Sequence, residues 1–137
     1  MTLRILIAED YKELADSYRA VLEGRGHAVM ITNNGIECLS AYKQYSKQFD
    51  GTIKPYFDAV ILDQKMPGMD GINTAKEIQK LNPKQKIIFI TGNGMDVLQK
   101  LGQLSANAAV VNKPFTVQAL LAEVEGIAVT KFREKMK

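Results

Sequence analysis

Three acidic residues are the first candidates for chemistry. Glu9 and Asp10 follow the apolar run LRILIA, and Asp63 closes a second run, DAVILD. A carboxylate at the end of a buried strand is costly unless something pairs with it. Thr91 closes a third run, KIIFIT, and is followed by Gly92, Asn93 and Gly94. Asn112 closes a fourth, AAVVN, and is followed by Lys113-Pro114-Phe115. If one rim gathers these residues, three carboxylates repel each other there and need protons, a lysine or a cation. An all-oxygen ligand set without histidine suits Mg2+, which keeps several waters and often bridges to phosphate. Lys113 is a point charge suited to a phosphate oxygen. Thr91 and the amides near Gly92 can donate to the same oxygens. A carboxylate can itself act as nucleophile and carry a phosphoryl group as an acyl phosphate. Metal, lysine and hydroxyl would then stabilise the charge on that group. On this reading Asp63 stands at a strand end because a phosphoryl donor must reach it.

The elements that must position these residues are legible in the pattern. LRILIA, HAVMI, DAVILD, KIIFIT and AAVVN read as five short apolar strands. They lack clean alternation, as expected of a parallel sheet covered on both faces. Between them lie helix-periodic stretches. Leu14, Tyr18, Val21 and Leu22 share one helical face. NNGIECLSAYKQYSKQ reads as a second helix, with Asn34 as N-cap and Glu37 three residues on. INTAKEIQKL follows, with Asp70 as its cap, then MDVLQKLGQL. A last helix opens at Thr116 and places Leu120, Val124 and Ile127 together. Five strand-helix units predict a doubly wound α/β fold, a parallel sheet with helices on both faces. In such folds ligands bind beyond the carboxyl ends of the strands, where the residues named above lie.

The totals agree with this class. With 137 residues, 46% of them hydrophobic and 24% charged, the chain is one domain's worth of an ordinary globular protein. Residues 1–126 are read as the domain. Residues 127–137 are read as a basic helix extension, linker or tail. Cys38 is the single cysteine, which excludes an internal disulfide and a cysteine-based zinc site. The opening segment lacks the pattern of a signal peptide, and no segment has the roughly 20 apolar residues of a membrane span. A cytoplasmic protein is expected. The net charge of +3 resides largely in KFREKMK, read as a solvated tail rather than a nucleic-acid site. His27 reads as a strand-start residue, Cys38 as a small core residue, and Met66 and Met69 as packing residues. FDGTIKPYF, from Phe49 to Phe57, is a long connection where a few residues would do, read as a loop or a partner contact.

The ordered set resembles the response-regulator receiver domain of two-component signalling, the CheY-like superfamily. The residues that carry the resemblance are the acidic pair Glu9-Asp10, LDQKMPGMDG around Asp63, Thr91 before a small residue, and KPF at Lys113. It covers Leu3 to about Val124. It implies a flavodoxin-like sheet with strand order 2-1-3-4-5. It implies that a partner histidine kinase or phosphotransfer protein phosphorylates Asp63 with Mg2+ bound. Asp10 and Asp63 would bind the metal directly, Glu9 through water, and the backbone carbonyl of Lys65 would add a ligand. Thr91 and Lys113 would contact the phosphoryl oxygens, and the Lys113–Pro114 bond would be cis. Phosphorylation would shift the face formed by helix four, strand five and helix five. Homodimerisation through that face is an expectation from the resemblance only. The output partner is unknown, and neither membrane nor direct nucleic-acid binding is expected.

Two departures stand out. The family usually has Tyr or Phe three residues before the conserved lysine, where this chain has Val110. Lys65, two residues after Asp63, and Asn93 are candidates for tuning hydrolysis through water access. The rivals are weaker. A pseudo-receiver interaction domain, acting without phosphorylation, gains from Val110 but loses from the intact acidic set. Aspartate-nucleophile phosphatases usually carry a second aspartate where Lys65 stands. No GxGxxG follows the first strand, which counts against nucleotide binding. The chain is therefore read as a phosphoacceptor signalling domain, not a turnover enzyme, with only intrinsic self-phosphorylation and self-dephosphorylation.

Overall fold

The computed structural model describes residues 2–48, 51–52, 54–92, 94–102, 107–113 and 116–136. Strands and helices alternate: β1 (Arg4–Ala8), α1 (Lys12–Gly24), β2 (Ala28–Thr32), α2 (Gly35–Ser46), β3 (Ala59–Asp63), α3 (Gly71–Leu81), β4 (Ile87–Thr91), α4 (Gly94–Leu101), β5 (Ala108–Asn112) and α5 (Val117–Lys135). The sheet is parallel throughout, in the order β2-β1-β3-β4-β5. This is the flavodoxin-like arrangement expected from the sequence. All five residues of β3 and all five of β4 are buried, so neither run shows alternation.

Side chains of successive strand residues leave on opposite faces and build two cores. Leu6, Val60, Leu62, Ile87 and Phe89 meet Cys38 and Tyr42 of α2, Ile72, Ala75 and Ile78 of α3, and Val97 and Leu101 of α4. Ile5, Ile7, Ile61, Ile88, Ile90 and Val111 meet Tyr18 and Leu22 of α1 and Leu120 and Val124 of α5. Three helices therefore cover one face and two the other. Cys38 is fully buried in the first core, and burial pushes its thiol up to about 12.

The caps are local and specific. Asn34 accepts from the Glu37 amide at 2.8 Å and donates back to the Glu37 carboxylate at 2.8 Å. Asp70 accepts from the Asn73 amide at 2.8 Å, and Thr116 Oγ1 from the Ala119 amide at 3.2 Å. All three residues act as the sequence suggested.

The amino end of the sheet is tied by polar groups. His27 Nδ1 accepts from the Leu3 amide at 3.1 Å, so the ring is neutral with its proton on Nε2. Asp58 accepts from the Arg4 amide at 2.8 Å. Tyr42 donates to Gln85 Oε1 at 2.6 Å, a bond that crosses from α2 to the turn before β4. The long connection before β3 is fastened here too. Lys54 N–H donates to Ser46 at 2.8 Å, and Phe57 is 3% exposed and joins the first core. Tyr42, Tyr45, Tyr56 and Phe57 form a ring cluster, with the Arg4 guanidinium 4.0 Å from the Tyr56 centroid. Phe49, Asp50 and Ile53 of this connection lie outside the described residues. At the other terminus α5 is continuous from Val117 to Lys135, so residue 126 falls within a helix.

Candidate functional site

Register brings the chemistry together. Ala8 pairs with Leu62, so the next residues, Glu9 and Asp63, emerge side by side from the two central strands. Asp63 pairs with Ile90 and Thr91 with Asn112, which sets Thr91 and Lys113 one step further along the same rim. The Lys113 amide donates to the Thr91 carbonyl at 2.7 Å, extending the ladder past the end of β5.

Carboxylate oxygens of Glu9, Asp10 and Asp63 lie within 4.8 Å of one another. Glu9 is 1% exposed and Asp63 8%, whereas Asp10 faces solvent. Lys113 Nζ stands 3.4 Å from Asp63 Oδ1, so the rim carries its own counter-cation. Thr91 is buried at the end of β4. Lys65 is exposed, two residues after Asp63. Asn93 and the Pro114-Phe115 pair, with the expected cis bond at Lys113–Pro114, lie outside the described residues.

Glu9 shows what the cluster lacks. Its pKa is raised to about 8, first by burial, then by a shared hydrogen bond with Asp63 and by the negative charge of Asp63. Oε1 of Glu9 is buried and has no hydrogen-bond partner among the described residues. Oε2 accepts from the Tyr11 amide at 3.5 Å. A buried acceptor beside two other carboxylates fits a hard cation with oxygen ligands. The donor set therefore suits Mg2+.

Two features escape a reading of the sequence. Tyr18 of α1 feels the charge of the cluster, its phenol pKa being raised by burial and then by the charges of Glu9 and Asp63. A tyrosine at a core-facing helical position gave the only hint. Asn112 uses its side chain as well as its strand position. Its Oδ1 accepts from the amide of Gly94, the first residue of α4, at 2.8 Å. A Cβ at Gly94 would strike Val110 Cγ1 and stand 2.7 Å from Asn112 Oδ1, so only glycine lets α4 start against β5. Val110, at the position where the family usually has an aromatic ring, thus packs under the start of α4.

The fold and rim agree with comparisons to known proteins. The family model for the response regulator receiver domain matches residues 5–125, and the chain belongs to that family. It is a receiver domain of two-component signalling. It is 33% identical over 122 residues to the response regulator receiver protein CpdR of Brucella abortus, covering 89% of this chain and 93% of that protein. It is 30% identical over 124 residues to the transcriptional regulatory protein CpxR homolog of Haemophilus influenzae, where it covers 90% of this chain but 49% of the relative. The chain thus spans nearly all of one relative and about half of the other. A CheY-like receiver domain protein from Methanospirillum hungatei superposes with a TM-score of 0.80 at 26% identity, covering 98% of this chain and 99% of that one. The receiver domain of a sensor histidine kinase from Pseudomonas aeruginosa superposes with a TM-score of 0.74 at 22% identity, covering 93% and 99%, and holds a magnesium ion in its active-site cleft. At that identity the likeness concerns the fold. No helix among the described residues is long and apolar enough to cross a membrane.

Proposed function

We propose that Asp63 accepts a phosphoryl group from a partner histidine kinase or phosphotransfer protein in a Mg2+-dependent reaction. The observation that carries this reading is the rim itself. A nearly buried aspartate lies 3.4 Å from a lysine and within 4.8 Å of two further carboxylates. Asp10 and Asp63 would hold the metal, with Glu9 assisting and the Lys65 carbonyl as a further ligand. When bound, the cation neutralises the acidic cluster and offsets charge on the incoming phosphoryl oxygens.

An Asp63 oxygen attacks phosphorus and forms the new P–O bond. The P–N bond to the donor imidazole breaks, and the departing ring nitrogen keeps the electron pair. Lys113 exchanges its contact with Asp63 for one with a phosphoryl oxygen, and the Thr91 hydroxyl supplies a second. The α3 N-terminus takes no part, because its first amides are already bonded within the chain. Relocation of Lys113 and Thr91 acts on strands β4 and β5 and so shifts the α4–β5–α5 face between two states. Residues 1–126 form the receiver unit, and 127–137 act as a helical extension or linker to an output that the site does not identify. The domain works in the cytoplasm, where its kinase partners phosphorylate it. Apart from its own phosphorylation and dephosphorylation it turns over no substrate. A pseudo-receiver reading gains no support from the family match.

The test is intact-mass spectrometry after incubation with acetyl phosphate and Mg2+. One phosphoryl adduct is expected on the wild type, lost in Asp63→Asn and lost without Mg2+. An adduct that persists in Asp63→Asn would overturn the assignment.

A further inference from the structure

We infer that Gln64 is a positioning residue for this site, which fixes the loop between Asp63 and α3 through its own backbone and side chain. The inference rests on the phosphoacceptor reading and deepens it.

Gln64 is pinned at three points. Its amide donates to the Ile90 carbonyl at 3.4 Å, continuing the ladder from β3 to β4. Its carbonyl accepts from the Gly71 amide at 3.1 Å. Its side-chain Oε1 accepts from the Ile72 amide at 2.8 Å. The segment 65–70 therefore leaves and returns at a single residue, and the two bonds to α3 close its base. The approach is tight. A Cβ on Gly71 would stand 2.6 Å from the Asp63 carbonyl oxygen and 3.0 Å from Gln64 Cα. The far side of the loop packs on α2, where a Cβ at Gly35 would strike the Met69 carbonyl.

The bonding of α3 divides neatly between two residues. Gln64 satisfies the amides of Gly71 and Ile72. Asp70 satisfies those of Asn73, by its side chain, and Thr74, by its carbonyl at 3.0 Å. The amides of Gly71, Ile72 and Asn73, which have no partner within the helix, are thus occupied, and Thr74 makes the first ordinary helical bond. Asp70 caps the helix from inside the loop. Gln64, the residue bonded covalently to Asp63, ties the helix directly to the acceptor. Only the second connection sets where the chain turns immediately after the acceptor, and so where the Lys65 carbonyl points.

The test compares Gln64→Met, which keeps length but loses the acceptor, with Asp70→Ala, which removes the other cap of the same helix. Backbone NMR of the metal-free proteins reads amide exchange, and Mg2+ titration reads affinity. Gln64→Met should speed exchange at Ile72 and weaken Mg2+ binding roughly tenfold, as loss of groups that orient ligands does. Asp70→Ala should lower the melting temperature while its Mg2+ affinity stays near the wild-type value. Gln64→Asn, one methylene too short to reach Ile72, asks the same question if the Met variant does not fold. Unchanged Mg2+ affinity in the Gln64 variants, or an equal loss in Asp70→Ala, would overturn the inference. A wild type that binds no Mg2+ would instead overturn the phosphoacceptor reading, and this inference with it.

Discussion

The two ends of the sheet treat polar groups in opposite ways. At the amino end His27, Asp58, Tyr42 and Gln85 each meet a partner within the chain. At the carboxyl end Glu9, Asp10 and Asp63 face one another, and a buried Glu9 oxygen meets no donor among the described residues. Burying an unsatisfied acceptor is expensive, and one that lies among further carboxylates at a strand-end rim fits completion by an external cation. The amino end is finished mostly by the chain itself, although Ser46 Oγ and Gln79 Oε1 are buried there without a partner among the described residues. The carboxyl end is finished by what it binds.

Four experiments would break or sharpen that contrast. The largest effect on stability belongs to the amino end. Phe57→Ala empties a core position next to Tyr42 and should destabilise by about 3–5 kcal/mol, read by urea unfolding, with Mg2+ affinity unchanged. The next concerns Glu9. A carboxyl group whose folded pKa is raised binds its proton more tightly in the folded state. Metal-free stability should therefore be highest below the unfolded value near 4.5 and fall as pH rises toward about 8. Glu9→Gln should flatten that decline, raise the metal-free melting temperature at pH 8 and weaken Mg2+ binding. Removal of a charge would then stabilise the fold while harming the site, the reverse of Phe57→Ala. A decline that survives Glu9→Gln would break the contrast.

Smaller effects come from the satisfied polar groups. Tyr42→Phe strips Gln85 Oε1 of its donor in a buried position and should cost about 1–3 kcal/mol, again with Mg2+ binding intact. The smallest is the His27 titration. Burial lowers its pKa, so the stability from its neutral form is present above the unfolded value and is lost as pH falls toward the folded one. In a Glu9→Gln background, thermal melts from pH 7 to pH 5 should show a decline that His27→Gln reduces. The two ends then titrate in opposite directions, and their effects offset one another where the windows overlap.

The fold was legible because buried parallel strands need uninterrupted apolar runs, and AVIL and IIFI are nothing else. The candidate site was legible for the same reason. A charge that breaks such a run must lie at a strand end, and parallel strands bring all those ends to one rim. What escaped depends on contacts between residues far apart in the chain. His27 looked like a bystander because its partner, the Leu3 amide, is 24 residues away. No periodicity announces that the Gln64 side chain reaches forward to cap a helix. The connection before β3 looked too long for its task, yet Phe57 fills the core and Tyr56 carries Arg4. Length alone did not reveal that aromatic rings were anchoring it.

Cys38 has a practical consequence. Thiol reagents attack the thiolate, and this single cysteine is fully buried with its pKa pushed up to about 12. At neutral pH it should not react with maleimides or methanethiosulfonates while the protein stays folded. A cysteine placed at Met95, 74% exposed on α4, would take a spin label or fluorophore alone. Motion of the α4 face could then be followed spectroscopically without first engineering away a native thiol.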